Sequence, residues 1–159
     1  MIFKLIEDLI RNISGLAGIR IRRFYYSNKL AACGESLVVS EGVFFDNSEN
    51  ITLGSNVWID KGAIFITGEP LRKNIISGQQ TIEIGKIKIG DNVHIGIRSI
   101  LQAHGGIEIG DFFTSGSDSK LYTLSNDVYS SHQGTNNIDK DLNYYRLNPI
   151  IIKKNVWVG

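Results

Sequence analysis

One short phrase recurs along this chain of 159 residues. In this phrase two aliphatic residues flank one variable residue, and a glycine follows. Three copies continue into a polar residue and an Asn-Val pair, as in Asp91-Asn92-Val93. An internal repeat restricts a chain to repetitive architectures, so it constrains this fold more than any other motif does. The copies are Ile51-Thr52-Leu53-Gly54, Ile82-Glu83-Ile84-Gly85, Ile87-Lys88-Ile89-Gly90, Ile107-Glu108-Ile109-Gly110 and the degenerate Ile150-Ile151-Ile152-Lys153.

Within the repeats, aliphatic or aromatic residues return every six positions. This spacing does not match an α-helix, and no local hairpin signal accompanies it. A unit of one short strand and one tight turn fits it, with three units closing a triangular coil and coils stacking about 4.8 Å apart. The pattern therefore predicts an all-β solenoid with an apolar interior, and with Gly and Asn at corners that need positive φ. Two examples are Leu53, Ile59 and Phe65, and Ile89, Ile95 and Leu101.

The unit Ile89-Gly90-Asp91-Asn92-Val93-His94-Ile95-Gly96 resembles the repeats of the hexapeptide-repeat acyltransferases, whose fold is a left-handed parallel β-helix. The segment from Asn148 to Gly159 resembles the P-I-x-I-G-x-x-V-W-I-G signature of the same family, and its tryptophan indicates the sugar O-acetyltransferase branch. The resemblance covers the chain from about Val43 onward. It implies transfer of an acetyl group from acetyl-CoA, as co-substrate, to a sugar hydroxyl in surface polysaccharide biosynthesis, with no metal.

The repeat divides the chain into an N-terminal helical and basic cap over residues 1–36 and a β-helix over residues 37–159. A long polar loop interrupts the β-helix at about residues 125–147. Residues 68–80 also break the period, either as an excursion or as a degenerate coil. The last phrase stops where another unit would begin, and family members continue for further coils, so a truncation at the C-terminus is expected.

The N-terminal segment allows two interpretations. An apolar stripe over residues 1–13 predicts an amphipathic helix. Residues 1–30 contain six Lys or Arg and two acidic residues, so they carry a charge of +4 while the remainder carries −3. The favoured interpretation is a cap that covers the open edge of the first coil, as a solenoid requires. The alternative is a weak peripheral contact with an anionic membrane.

Composition excludes several classes of protein. The net charge of +1 gives no reason to expect a nucleic-acid partner. The single cysteine, Cys33, excludes an internal disulfide and fits a reducing compartment. No apolar run is long enough for a transmembrane helix. The expected location is the cytoplasm, with the inner face of the membrane as the alternative.

Acyl transfer to a hydroxyl needs a group that accepts its proton, and histidine suits this role near neutral pH. His132 lies in the polar loop, seventeen residues before Pro149, where the resemblance places the catalytic base. His104 lies at a coil corner and is the second candidate, able to face the same cleft. Asn126 stands where many relatives have the histidine, and it is expected to orient substrate. His94 is assigned no role.

The resemblance also suggests further site residues. Asp118 and Asp127 are candidates for fixing a histidine tautomer or contacting substrate. Trp157 matches the family tryptophan beside the pantetheine arm of the donor, and Lys153 and Lys154 are candidates for its phosphates. The family implies a homotrimer with the site between subunits, and a sugar or glycan precursor as acceptor.

Two other functions stay open. A γ-type carbonic anhydrase shares this fold and binds zinc through three histidines, but the separations of ten and 28 residues here lack the close pair of that site. A scaffold or inactive paralogue is the non-enzymatic alternative, because Asn126 replaces a histidine and the last repeat is cut short.

Overall fold

The computed structural model describes residues 2–70, 75–79, 81–127, 129 and 144–159, with side chains from residue 5 onward. Two helices, α1 (Ile2–Arg11) and α2 (Gly15–Ser27), precede a stack of short strands. Most strands form three parallel sheets, one for each side of a triangular coil, and three other strands form a fourth sheet. The predicted parallel β-helix is confirmed.

Each side of the coil is one sheet, in which equivalent strands of successive coils lie on one another. In stacking order, sheet A consists of β1 (Ala32–Cys33), β4 (Ile51–Leu53), β8 (Ile87–Ile89), β11 (Ile107–Ile109) and β16 (Ile150–Ile152). Sheet B consists of β2 (Val38–Val39), β5 (Val57–Ile59), β9 (Val93–Ile95), β12 (Thr114–Ser115) and β17 (Trp157–Val158). Sheet C consists of β3 (Phe44–Asp46), β6 (Ile64–Ile66), β10 (Ile100–Gln102) and β13 (Lys120–Tyr122).

The interior of the coil is a set of apolar ladders. The register pairs Leu53 with Ile89, and Ile89 with Ile109, so equivalent residues of successive repeats lie on one another. On sheet C the Phe45 and Phe65 rings lie 4.9 Å apart, and Phe65 is fully buried. The six-residue spacing therefore explains which side chains are buried, because every sixth residue points into the same core.

The asparagines of the repeated phrase hold the left-handed conformation at one corner. Asn56, Asn92 and Asn155 have φ of 58°, 56° and 59°. The glycines of the phrase were expected to share this property, but Gly54 and Gly90 do not have positive φ. They are needed for space, since a Cβ on Gly54 would lie 2.6 Å from the carbonyl carbon of Gly90.

Polar residues at this corner connect one coil to the next. The Asp91 carboxylate accepts a hydrogen bond of 2.7 Å from the Ser55 N–H, and Asp111 accepts one of 2.9 Å from the Asp91 N–H. The Asn56 amide donates to Asn92 at 2.9 Å. The polar half of the phrase therefore fixes coil spacing, while its aliphatic half fills the core.

One copy of the phrase does not form the strand that the repeat predicts. Residues 82–85 form a turn, with Ile84 37% exposed and Gly85 at φ 72°. The next copy begins at Ile87, only five residues after Ile82, and this separation is too short for a complete coil. Only the second copy can occupy the place in sheet A, where it forms β8.

The cap differs from the prediction in two ways. The first coil already begins at β1, before the boundary at residue 37. The apolar stripe of α1 is only partly buried, because Ile10 is 9% exposed but Leu5 and Leu9 are 62% and 65% exposed. The covering helix is α2, whose Tyr26 is buried and stacks edge-on against Phe45 at 4.7 Å. Within the described residues, neither helix is long and apolar enough to cross a membrane.

A buried arginine joins the two helices to the β-helix. Arg22 is 1% exposed and donates to the carbonyl oxygens of Ile10, Ile13 and Val39 at 3.0, 2.7 and 2.9 Å. Two of these acceptors belong to the end of α1 and the turn after it, and the third belongs to β2. The planar guanidinium has five N–H donors in a fixed fork, so it can reach acceptors that lie in several directions.

We predict that Arg22→Ala lowers the free energy of unfolding by about 3 kcal/mol, because several buried carbonyl groups lose their donor. Arg23→Ala is the matched control, since Arg23 is the next residue of the same helix but is exposed. The control should change stability by less than about 0.5 kcal/mol. Equal effects of the two substitutions in urea unfolding would contradict the role given to Arg22.

Candidate functional site

The candidate site lies at the corner where sheet C leads into sheet A. Two long excursions leave the coil there, over residues 67–86 and 123–149. The first contains β7 (Ile75–Ser77), and the second contains β14 (Leu124–Asn126) and β15 (Tyr145–Leu147). The strand β15 pairs with β7 in parallel and with β14 in antiparallel orientation. The predicted excursion near residues 68–80 is therefore real, and it pairs with the ends of the polar loop.

An open cleft of about 660 Å³ lies at this corner. Its lining comes from all four turns between sheets C and A, and seven of the ten lining residues have polar side chains. The lining residues are Asp46, Asn47, Asn50, Thr67, Gly68, Glu69, Pro70, Gln102, His104 and Leu124.

His104 is the titratable ring in this cleft, and its orientation is defined by a backbone group. Its Nδ1 lies 2.9 Å from the carbonyl oxygen of Gly68. A carbonyl oxygen can only accept, so Nδ1 carries a proton, and in the neutral ring the lone pair is on Nε2. His104 thus has the tautomer that a proton acceptor needs.

Hydrogen bonds around His104 keep its corner in place. The Thr123 hydroxyl accepts from the Gly105 N–H at 2.8 Å and donates to the Gln102 carbonyl oxygen at 2.7 Å. The carbonyl oxygen of His104 accepts from the Gly85 N–H at 3.1 Å. Both excursions therefore contact the short turn that carries His104.

The rest of the lining is joined by backbone and amide groups. The hydroxyl of Thr67, a buried residue, donates to the carbonyl oxygens of Asp46 and Asn47 at 2.7 and 2.9 Å. The Asn47 side-chain amide donates a hydrogen bond of 3.1 Å to the Thr67 carbonyl oxygen. These contacts couple the first coil to the start of the first excursion.

Gln102 supplies a polar atom without a partner among the described residues. Its Oε1 is buried and accepts no hydrogen bond there, although the side chain lines the cleft beside His104. A buried polar atom without a partner is costly and is often explained by a ligand or water. The cleft therefore offers an acceptor for an O–H or N–H group of a bound molecule.

The polar loop is described only at its ends, where Asn126 is exposed on β14. His132 lies outside the described residues, so its predicted role stays a prediction. Asp127 is 2% exposed and accepts a hydrogen bond of 2.9 Å from Arg146 Nε. This contact joins the two ends of the loop and gives Asp127 a structural partner other than a histidine.

The other predicted site residues lie away from His104. Asp118 is at the corner between sheets B and C, where Arg98 binds both of its oxygens at 2.8 and 2.7 Å. The hydrogen bonds from Arg98 lower the pKa of the Asp118 carboxyl. Lys153 and Lys154 are exposed after β16, and Trp157 is 72% exposed on the outer face of sheet B. One chain therefore does not bring the predicted donor-binding residues to His104.

His94, which was assigned no role, has a carboxylate partner. Its Nε2 lies 2.8 Å from Asp60 Oδ2, and its ring centroid lies 5.8 Å from that of Trp58. His94 faces outward from sheet B, on another side of the coil from His104. In the described part of the chain, no three His, Cys, Asp or Glu side chains are grouped to hold a metal ion.

Sequence reasoning located His104 but missed most of its neighbours. Asp46, Ile66, Gln102 and Tyr122 occupy equivalent positions at the end of sheet C. Aligning the coils by this register would have shown that Asp46 and Gln102 point out at the same corner as His104. The repeat carries this signal, because its period fixes the outward positions of each coil as well as the core.

No protein-family model matches this chain. It is 28% identical over 127 residues to the dTDP-4-amino-4,6-dideoxy-D-glucose acyltransferase of Escherichia coli, over 79% of this chain and 58% of that relative. The chain thus spans less than two thirds of the relative's length.

Solved structures of AntD, an N-acyltransferase from Bacillus cereus, have a similar fold. A variant in complex with dTDP-4-amino-4,6-dideoxyglucose and coenzyme A gives a TM-score of 0.66 at 22% identity, over 87% of this chain and 65% of AntD. The AntD complex with dTDP and 3-hydroxybutyryl-CoA gives a TM-score of 0.65 at 23% identity, over 86% of this chain and 63% of AntD. At this level of identity the likeness establishes the β-helix fold and nothing finer.

We predict that Thr123→Val lowers the free energy of unfolding by about 1–3 kcal/mol, because the buried Gly105 N–H loses its acceptor while the side-chain volume is kept. Thr52→Val is the control, because it replaces the same hydroxyl by a methyl group at a residue that faces outward on β4. Chemical unfolding of both variants measures the difference. A Thr123→Val protein as stable as the control would show that this hydroxyl does not secure the corner.

Proposed function

We propose that this chain belongs to an acyl-CoA-dependent sugar acyltransferase. The observation that carries the proposal is His104, which faces a polar cleft with its Nδ1 proton held by a backbone carbonyl and its Nε2 left as proton acceptor. The parallel β-helix and the similarity to a sugar acyltransferase support the same reaction class.

The reaction can be written with His104 as the base. The Nε2 atom removes a proton from the acceptor as its oxygen or nitrogen attacks the thioester carbonyl carbon. The C–S bond then breaks, and the departing thiolate takes a proton to give free CoA. Gln102 Oε1 is proposed to accept a hydrogen bond from the acceptor and position it next to Nε2.

The acceptor atom is proposed to be an amino group, in place of the hydroxyl expected from sequence. Two observations favour this choice. The E. coli relative and AntD are named for acylation of an amino sugar or of nitrogen. The cleft also contains the carboxylates of Asp46 and Glu69, which suit an ammonium group before it is deprotonated. A nucleotide-linked amino sugar is therefore the proposed acceptor.

Donor binding is proposed to require a second copy of the chain. Trp157, Lys153 and Lys154 are the candidates for the pantetheine arm and phosphates of acetyl-CoA or another acyl-CoA. They lie on sheet B and at the corner before it, whereas His104 lies at the corner between sheets C and A. A neighbouring chain that presents its sheet B side to this cleft would complete the site, which is the reason to propose the expected homotrimer.

The test measures release of free CoA from acetyl-CoA with dTDP-4-amino-4,6-dideoxyglucose and with the matching 4-hydroxy sugar. Full-length protein is compared with His104→Ala, His132→Ala and His94→Ala. We expect acceptor-dependent release with the amino sugar, a loss of about 10²- to 10⁴-fold in kcat in His104→Ala, and little change in His94→Ala.

Other results would change the proposal in defined ways. Loss only in His132→Ala would move the base to the polar loop, as the sequence suggested. Turnover of only the hydroxyl sugar would restore O-acylation. Absence of CoA binding by calorimetry in full-length protein would contradict the enzyme and favour a scaffold. Stoichiometric zinc in the purified protein would instead support a carbonic anhydrase.

A further inference from the structure

We propose that the N-terminal helical hairpin is a docking surface for anionic lipid bilayers. The hairpin face is defined as the exposed residues Leu5, Leu9, Leu16, Arg20, Arg23 and Phe24. This inference concerns the opposite side of α2 from the β-helix, and it does not rest on the proposed enzymatic function.

Two stripes on α2 point in opposite directions. Gly18, Arg22 and Tyr26, spaced four residues apart, are buried against α1 and the first coil. Leu16 and Phe24 are 75% and 76% exposed. They lie two residues from the buried stripe, or about 200° around the helix, so they point away from the protein.

The first helix and the turn also carry exposed apolar residues. Leu5 and Leu9 are one helical turn apart and are 62% and 65% exposed, and Ile13 in the turn is 36% exposed. Exposed apolar residues concentrated on one helical hairpin mark an interaction site more often than scattered exposed residues do. Within the predicted apolar stripe Ile10 is therefore buried, while Leu5 and Leu9 stay exposed.

The charges of the hairpin favour an anionic surface. Arg20 and Arg23 are exposed on α2. Arg20 is one helical turn from both Leu16 and Phe24, and Arg23 is at the edge of the same face. The two acidic residues are engaged within the hairpin. Asp8 pairs with Arg11 at 3.1 Å, and Glu7 lies close enough to Tyr25 to add to the effect of burial, which raises the pKa of that phenol. Basic residues next to exposed Leu and Phe are found in helices that lie in the headgroup region.

Arg22 makes the hairpin face a permanent feature of the fold. Its hydrogen bonds to Ile10, Ile13 and Val39 tie both helices to the first coil. The helices therefore cannot rotate to bury Leu16 or Phe24 without breaking these bonds. A rigid apolar face with basic flanks fits a bilayer surface, which adapts to the shape placed on it.

The experiment is vesicle flotation of the full-length protein with phosphatidylcholine vesicles that contain or lack phosphatidylglycerol. We expect binding to the anionic vesicles at low salt, weakening as salt rises. Leu16→Ser/Phe24→Ser should weaken binding about a hundredfold. Arg20→Gln/Arg23→Gln should weaken it roughly 25-fold, since each charge contributes about fivefold.

Matched controls separate the hairpin from general surface effects. Phe112→Ser/Ile151→Ser removes two apolar side chains that are 57% and 40% exposed on the β-helix, and Lys88→Gln/Lys120→Gln removes two exposed charges there. Both should bind vesicles like the unsubstituted protein. Because all substituted residues are exposed, folding should be preserved, and circular dichroism checks this.

Three results would overturn the proposal. The unsubstituted protein could fail to float with anionic vesicles. The hairpin variants could bind as well as their controls. Thirdly, Leu16→Ser/Phe24→Ser could lower the oligomeric state in analytical ultracentrifugation while no variant binds vesicles, which would assign the hairpin face to contact between copies of the chain. Loss of vesicle binding with intact acyl transfer would leave the proposed function unaffected.

Discussion

The close stacking of successive coils is the constraint on which this structure depends. At one corner the backbone of each coil approaches the next so closely that a Cβ on Gly54 or Gly90 would overlap its neighbour. The asparagine two residues later turns the chain with positive φ. Asp91 then binds the coil below through its carboxylate, and a coil that keeps this corner cannot slip in register. Every other sheet position follows from this register.

The candidate site arises where the repeated pattern is interrupted. Most corners are short, and the corner between sheets C and A is extended twice, after the second and fourth coils. The turn that carries His104 stays short between these two excursions. Gly68 of one excursion accepts its Nδ1–H, and Thr123 of the other holds the turn. The regular coil supplies rigidity, and the excursions supply the walls of the cleft.

The sequence predicted the parts of the fold that repeat. Six-residue spacing identified the three sheets, and it placed His104 at a corner. The sequence pattern did not predict features that depend on contacts between residues far apart in the chain. The phrase at residues 82–85 is a turn because β8 already occupies its place. Arg22 is buried because four nearby carbonyls offer it acceptors, which no local pattern reveals. The pairing of β7 with β15 also joins segments that are far apart in sequence.

The hairpin and the cleft meet at the first coil. Asp46 and Asn47 line the cleft, and they also line a smaller cavity of about 330 Å³ between the β-helix and α1. A hairpin seated on a bilayer would hold this end of the cleft near the headgroups. The proposed catalysis would not require such a position, since the contacts of His104 involve only the two excursions and the coil. Membrane docking would therefore determine which acceptors the cleft meets, and leave its chemistry unchanged.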